Sequence, residues 1–287
     1  MAIKVITDST SYIPQNLIDE LQISIAPLNV IIDGKSYVET DMNLDIFYEQ
    51  LSTHHQLPTS SQPSLESLIN LFQDPVKDGH EVIGIFLSSL MSGTFSTAQL
   101  AKNMVLEEFP QAKIELVDSR TNCMEMGFVV LDAARNARAG KSMEEVLQSA
   151  HETMKCTRFI FAPYTLEFLK KGGRIGNASS LLADVLKIKP VLTVVDGVTT
   201  TLSKIRTHKK ALEYIAGVFE KDVKDHGLSD AMVHHIHCLE QGVLFSKSLV
   251  HITKKVMPVI TIGAVIGTHV GPGTIGIAYC TKKPLRP

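Results

Sequence analysis

The chain has 287 residues, 44% of them hydrophobic and 20% charged, with a formal net charge of −2. High apolar content with balanced charge excludes disorder, and the lack of basic runs excludes a phosphate-neutralising nucleic-acid surface. The length suits two domains rather than one core.

Taken in chain order, "IKVITDST" reads as a buried strand running into a polar loop, and "IPQNLIDELQ" as a short helix. "ISIAPLNVIIDGKSYVE" predicts two extended runs around an Asp33-Gly34 hairpin turn. "DMNLDIFYEQLST" has helical spacing, "LPTSSQPS" reads as a loop, and Ser64 is placed to cap the helix "LESLINLFQDPV". Strand and helix then alternate. "EVIGIFLSS" and "KIELVDSR" are strands. "SGTFSTAQLAKNMVLEEF", "NCMEMGFVVLDAARNARAG" and "SMEEVLQSAHETMKCT" are helices, the last with Ser142 and Glu145 in capping-box spacing. This alternation predicts a mostly parallel, Rossmann-like sheet with helices on both faces. "TDST", "SSLMSGT" and "DSRT" all fall at the carboxyl ends of its strands, where such sheets bind ligands.

From about residue 150 the pattern changes. "RFIFAPYT" is a strand, "LEFLKKGGRIG" a short helix into a glycine turn, "NASSLLADVLKI" a helix. A second hairpin is expected around Asp196-Gly197, then a helix, the strand "DAMVHHIHC" and the helix "EQGVLFSKSLVHITKKV". "VITIGAVIGTHVGPGTIGIAYC" predicts two short strands around a His-Val-Gly-Pro-Gly turn. Hairpins mixed with helices suggest an α+β domain with a mixed or antiparallel sheet. The expected division is an N-terminal α/β domain over residues 1–150 and a C-terminal α+β domain over 151–287.

No run approaches the ~18 apolar residues of a membrane span, and the N-terminal apolar run is too short for a signal peptide. Cys123, Cys156, Cys238 and Cys280 are scattered and form no CxxC pair, so neither zinc nor disulfides are indicated. The expectation is a soluble cytoplasmic protein with reduced thiols, no cofactor and nothing that demands more than a monomer.

Several residues invite a functional and a structural reading side by side. Ser92, Gly93 and Thr94 stand at a strand-to-helix junction, where free N–H groups and the helix dipole attract anions. A plain helix start explains them equally well, and neither a Walker A loop nor a G-x-S-x-G elbow surrounds them. The three glycines of "KKGGRIG" could aim Arg174 as an anion clamp, or merely end a helix. His269 could meet a polar head group at the domain seam or be structural. His234, His235 and His237 resemble a metal tract, but no carboxylate or cysteine ligands accompany them, and an ordinary strand end is the better account.

The ordered set "TDST", "TSSQPS", "SSLMSGTFSTA", "LVDSR", "LKKGGRI", "KP" and "HVGPG" spans nearly the whole chain. It resembles the DegV family of bacterial fatty-acid-binding proteins, whose best-understood members are called FakB. The resemblance implies a two-domain α/β protein that is not an enzyme and holds a long-chain fatty acid of the palmitate, stearate or oleate class between its domains. It also implies a partner, a fatty acid kinase, which phosphorylates the presented carboxylate and so feeds phospholipid synthesis. By motif, Ser60 and Ser92 would bond the carboxylate, with Arg174 and His269 completing the polar end. Ser61, Gln62, Gly93 and Thr94 would shape the loops, and Arg206 would face the kinase. Ser60 stands where the family usually has threonine, and Thr59 could substitute if the loop shifted by one residue. Two other readings are an acyl hydrolase or transferase using Ser92, His269 and an acid such as Asp8, and a small-ligand module of the dihydroxyacetone-kinase type.

Overall fold

The computed structural model describes residues 2–51, 57–184 and 188–285, without the side chains of 182–184. Its first half contains β1 (Ile3–Asp8), α1 (Gln15–Leu21), β2 (Ser24–Ala26), β3 (Asn29–Ile32), β4 (Lys35–Val38), α2 (Leu44–Gln50) and β5 (Thr59–Ser61). These are followed by α3 (Leu65–Lys77), β6 (Glu81–Phe86), α4 (Thr94–Glu108), β7 (Ile114–Asp118), α5 (Cys123–Arg138) and α6 (Met143–Cys156). Four strands form a parallel sheet in the order β2-β1-β6-β7. Every residue of β6 is buried, and its apolar run from Val82 to Phe86 suits a strand between two helical layers. Ser64 caps α3 through the Ser67 N–H, and Ser142 with Glu145 forms the expected capping box on α6.

The second half contains β8 (Thr157–Ala162), α7 (Glu167–Lys171), β9 (Lys189–Val195), β10 (Val198–Ile205), α8 (His208–His226) and β11 (Leu228–His235). It ends with α9 (Leu239–Ser248), α10 (Val250–Thr253), β12 (Val259–Thr261), α11 (Ala264–Val270) and β13 (Ile275–Thr281). Six strands form a mixed sheet, β10-β9-β8-β13-β11-β12, in which only β11 and β12 run parallel. The β9–β10 turn has Asp196 at φ 50° and Gly197 at φ 85°, the left-handed pair that an Asp-Gly hairpin needs. That turn is fastened to the parallel sheet. Ser88 Oγ donates to the Gly197 carbonyl at 2.7 Å, and Arg120 Nη2 donates to the Asp196 carbonyl at 2.9 Å.

Five segments differ from the sequence expectation. Pro27 ends β2, so the chain leaves the parallel sheet and β3 founds a separate three-stranded sheet, β4-β3-β5. Within "LPTSSQPS", Thr59–Ser61 is not loop but the edge strand β5, paired antiparallel to β3. The apolar run before His269 is a helix, α11, rather than a strand; all seven of its residues are buried, so neither a period of two nor of 3.6 shows in its sequence. The stretch from Gly176 to Asp184 is a 3-10 helix, while 185–187 of the expected helix lie outside the described residues. The helix expected after Cys238 breaks at Leu249 into α9 and α10.

α5 joins the two large sheets. Eleven of its sixteen residues are buried, including Met126, Val129 and Val130. One core cluster contains these together with Val5 and Ile83 of the parallel sheet and Phe159, Leu192 and Ala278 of the mixed sheet. No helix among the described residues is long and apolar enough to cross a membrane.

Because the core is shared, Leu131→Ala in the centre of α5 should cost about 2–5 kcal/mol and move a single cooperative urea transition that fluorescence and circular dichroism both report. Two separate transitions, only one of them shifted, would contradict a common core.

Candidate functional site

The carboxyl ends of β1, β6 and β7 share one rim, and the loops leaving them are organised by buried polar groups. Asp8 accepts from Thr10 N–H at 2.9 Å, Thr10 Oγ1 at 2.5 Å and Leu87 N–H at 2.7 Å. Burial pushes its carboxyl up to about 6 against these bonds, which pull it down. Asp8 therefore ties the end of β1 to the loop after β6.

That loop leads into α4 through Ser92 and Gly93. Ser92 Oγ lies 2.9 Å from Thr94 Oγ1 and accepts the Thr94 N–H at 3.3 Å. Gly93 carries no capping side chain, so the positive end of a fifteen-residue helix is left to whatever lies before it. A side chain at Gly93 would collide with the Gln62 carboxamide. Gln62 in turn donates to Thr97 Oγ1 at 2.7 Å, which brings the two hydroxyl-rich segments together.

Facing them is His269, in the last turn of α11 and 8% exposed. Its Nε2 lies 2.7 Å from Ser60 Oγ, while its Nδ1 is buried with no partner, against Gly172. A buried N–H without an acceptor is costly, so the proton belongs on Nε2 and is donated to Ser60. The hydroxyl proton of Ser60 is then free for a further acceptor. Burial, followed by the Arg174 charge, lowers the His269 pKa to about 4, so the ring is neutral at pH 7.

Arg174 lies in the glycine turn after α7, with Gly173 at φ 69° before it and Gly176 at φ 52° after it. It is exposed; Nη1 donates to the Gly172 carbonyl at 2.6 Å and Nε to the Met91 carbonyl at 3.2 Å. Its guanidinium thus links the α7 turn to the loop before α4.

α11 is held from the N-terminal half of the chain. Glu39, 5% exposed, accepts from Ser9 Oγ, from Tyr12 Oη at 3.0 Å and from the Val265 N–H at 2.9 Å. Burial raises its carboxyl pKa. Tyr48 Oη lies 2.7 and 2.8 Å from the Ile262 and Gly263 carbonyls. Glu39, Tyr12 and Tyr48 are positioning residues that sequence reasoning missed, since partners more than 200 residues away leave no local pattern.

These groups surround one end of a cavity of about 820 Å³, counting its open mouth. Its wall is apolar, with Leu28, Leu87, Phe159, Phe161, Val194 and Ile266 contributed by both large sheets and their loops. Ser60, Ser61, Gln62, Ser92, Gly93, Arg174 and His269 all line it. Thr94 is buried behind Ser92 and is not among the lining residues. Ser60, rather than exposed Thr59, faces His269. Arg206 is exposed just beyond β10 and is not among the lining residues.

The catalytic relay Ser92–His269–Asp8 is not assembled: the His269 ring bonds Ser60, and both Asp8 oxygens serve Thr10 and Leu87. Two histidines of the tract are engaged by other segments of the fold. His234 Nε2 accepts the Met124 N–H at 3.3 Å; His235 accepts the Cys238 N–H at 3.3 Å and pairs with Thr261 Oγ1 at 3.0 Å. β11 stops at His235, and His237, at φ 51°, leaves the strand.

Residues 2–282 match the family model described as uncharacterised protein, DegV family. A DegV domain-containing protein of Clostridium acetobutylicum is 46% identical over 287 residues, covering all of both chains. Among solved structures, DegV of Bacillus subtilis, described as a fatty acid binding protein, superposes with a TM-score of 0.88 at 35% identity, covering 98% of this chain and 100% of that one. A stearic acid-binding protein from Eubacterium ventriosum superposes with a TM-score of 0.89 at 28% identity, covering 98% of each.

The depressed pKa of His269 gives a signed pH dependence. The ring is disfavoured as a cation in the folded state, so its contribution is complete above about 6.5 and is lost as pH falls towards about 4. In ligand-free protein, stability should drop between pH 7 and 4 by up to about 3 kcal/mol more in the parent than in His269→Gln, read from urea unfolding. His234 and Asp8 titrate in both proteins and cancel in the comparison. Parallel curves would mean that His269 stays accessible to protons in the folded state.

Proposed function

The chain belongs to the DegV family, and on that premise we propose that it binds a long-chain fatty acid in the cavity and presents the carboxylate to a separate fatty acid kinase, as the substrate-carrying partner in acyl-phosphate formation for phospholipid synthesis. The observation that carries this reading is the division of one cavity into an apolar wall and a polar end built from hydroxyls, a helix start and a neutral imidazole. Burying ~16 methylenes at ~0.8 kcal/mol each gives a gross gain on the order of 12 kcal/mol, much of which association and ordering offset. The tail supplies the affinity, and the head needs only to be oriented.

The polar end suits an anion that must remain reactive. Ser60, with its oxygen already serving His269, turns its proton to a carboxylate oxygen. Ser92 and the first N–H groups of α4 take the other. Arg174, held by two backbone carbonyls at the exposed mouth, adds positive charge without a buried ion pair that would lock the acid in place. Arg206, exposed at the end of β10, belongs to the surface that meets the kinase.

Native mass spectrometry of freshly purified protein, followed by lipid extraction, should show a mass excess that extracts as a fatty acid. Empty protein that also ignores added palmitate and oleate would overturn the reading. Ser92→Ala should weaken fatty-acid binding and slow kinase-coupled phosphorylation together; parent-like values for both would reduce Ser92 to a helix cap. Arg206→Ala should leave lipid affinity unchanged and impair phosphorylation, whereas an unchanged rate would exclude it from docking.

A further inference from the structure

One polar side chain in the cavity takes no part in the head-group contacts. Asn122, between β7 and α5, is 7% exposed and lines the cavity wall. Its side chain makes no capping bond to α5. Nδ2 points to the Met91 sulfur at 3.2 Å, a weak acceptor, and Oδ1 is buried with no partner. A buried carbonyl without a donor is costly. Such a group inside a ligand cavity is expected where the ligand supplies the missing partner.

Its depth narrows the choice. The residue whose sulfur meets Asn122 is the one whose carbonyl holds Arg174 Nε at the mouth. The preceding residue, Thr121, gives its carbonyl to the Ser88 N–H, beside the cavity-lining Leu87. Asn122 therefore shares the cavity wall with the loop that carries Ser92, one residue, Met91, from the Arg174 anchor, which puts it within reach of the first carbons of an acyl chain whose carboxylate sits at Ser60 and Ser92. A plain methylene there leaves Oδ1 unpaired.

We propose that Asn122 is a specificity residue for acyl chains that carry a hydroxyl close to the head group, on the second or third carbon. This rests on the fatty-acid reading of the cavity and names a substrate class within it. The hydroxyl donates to Oδ1. The neutral carboxamide does so without repelling the carboxylate next to it, as an aspartate would. In the absence of such a ligand, a water molecule takes the place of the hydroxyl.

The test is calorimetric titration of lipid-free parent protein and Asn122→Leu with palmitate, 2-hydroxypalmitate and 3-hydroxypalmitate. The parent should bind one of the hydroxy acids at least as tightly as palmitate. The variant should lose about tenfold or more in affinity for that acid relative to palmitate, because the hydroxyl then faces an apolar wall. Asn122→Ala, which only removes atoms, provides the same comparison should leucine prove too large to fold. If parent and variant rank the three acids identically, the amide holds only water and the proposal falls while the fatty-acid reading stands. If the parent takes up none of the three, the fatty-acid reading falls and the proposal with it.

Discussion

α5 is wedged between two sheets that differ in every other respect. Its residues fill the space under the parallel strands β1 and β6 on one side and the antiparallel strands β8 and β13 on the other, and a single core contains them all. Close packing along its buried face leaves the helix little freedom to shift. The distance between the sheets is therefore set, and with it the width of the gap above the start of α5, where Leu87 from one half and Phe159 and Phe161 from the other form the cavity wall.

Buried polar groups complete the rim. Asp8 fastens the loop after β6, Ser88 and Arg120 fasten the β9–β10 turn, and Glu39 with Tyr12 and Tyr48 fastens the short α11. Each of these side chains reaches a backbone amide or carbonyl of a distant segment, which positions main chain rather than merely filling space. A seven-residue helix has little stability of its own. α11 can present His269 because Glu39 satisfies a first-turn N–H and the Ser60 hydroxyl meets the ring at the other end. The N-terminal half of the chain thus shapes a site whose histidine is supplied by the C-terminal half.

The electrostatics of the cavity follow from the same packing. Burial keeps the His269 imidazole uncharged at neutral pH, so the deep part of the polar end is neutral, and Arg174, the cation among the described lining residues, stays at the exposed mouth. Hydroxyls and helix-start N–H groups stabilise an anion through dipoles that remain where the fold puts them. An apolar chain threaded through such a channel is held by area, and its polar end by geometry.

Much of this protein was legible in its residues. The parallel sheet showed in the alternation of apolar strands with capped helices, and both hairpin turns in their Asp-Gly pairs, because turn chemistry and caps are local and survive in a linear string; Ser60, Ser92, Arg174 and His269, which line one cavity, were singled out by their family motifs. Ser92 and Gly93 at a strand-to-helix junction fitted an anion site and a plain helix start equally well. What tertiary structure alone decided was non-local. "GAVIGTH" is helical because Glu39, more than 200 residues away, caps it within a fully buried setting that erases any periodicity. "TSS" is a strand because β3 offers it an edge. Asp8 looked like a candidate acid and became a structural tie once Leu87 was brought beside it. Asn122 had no signal at all, since an amide in a loop becomes noteworthy only when folding buries its carbonyl and gives it nothing to bond. Local propensity and pattern act over a few residues, whereas burial and pairing depend on what the rest of the chain places alongside.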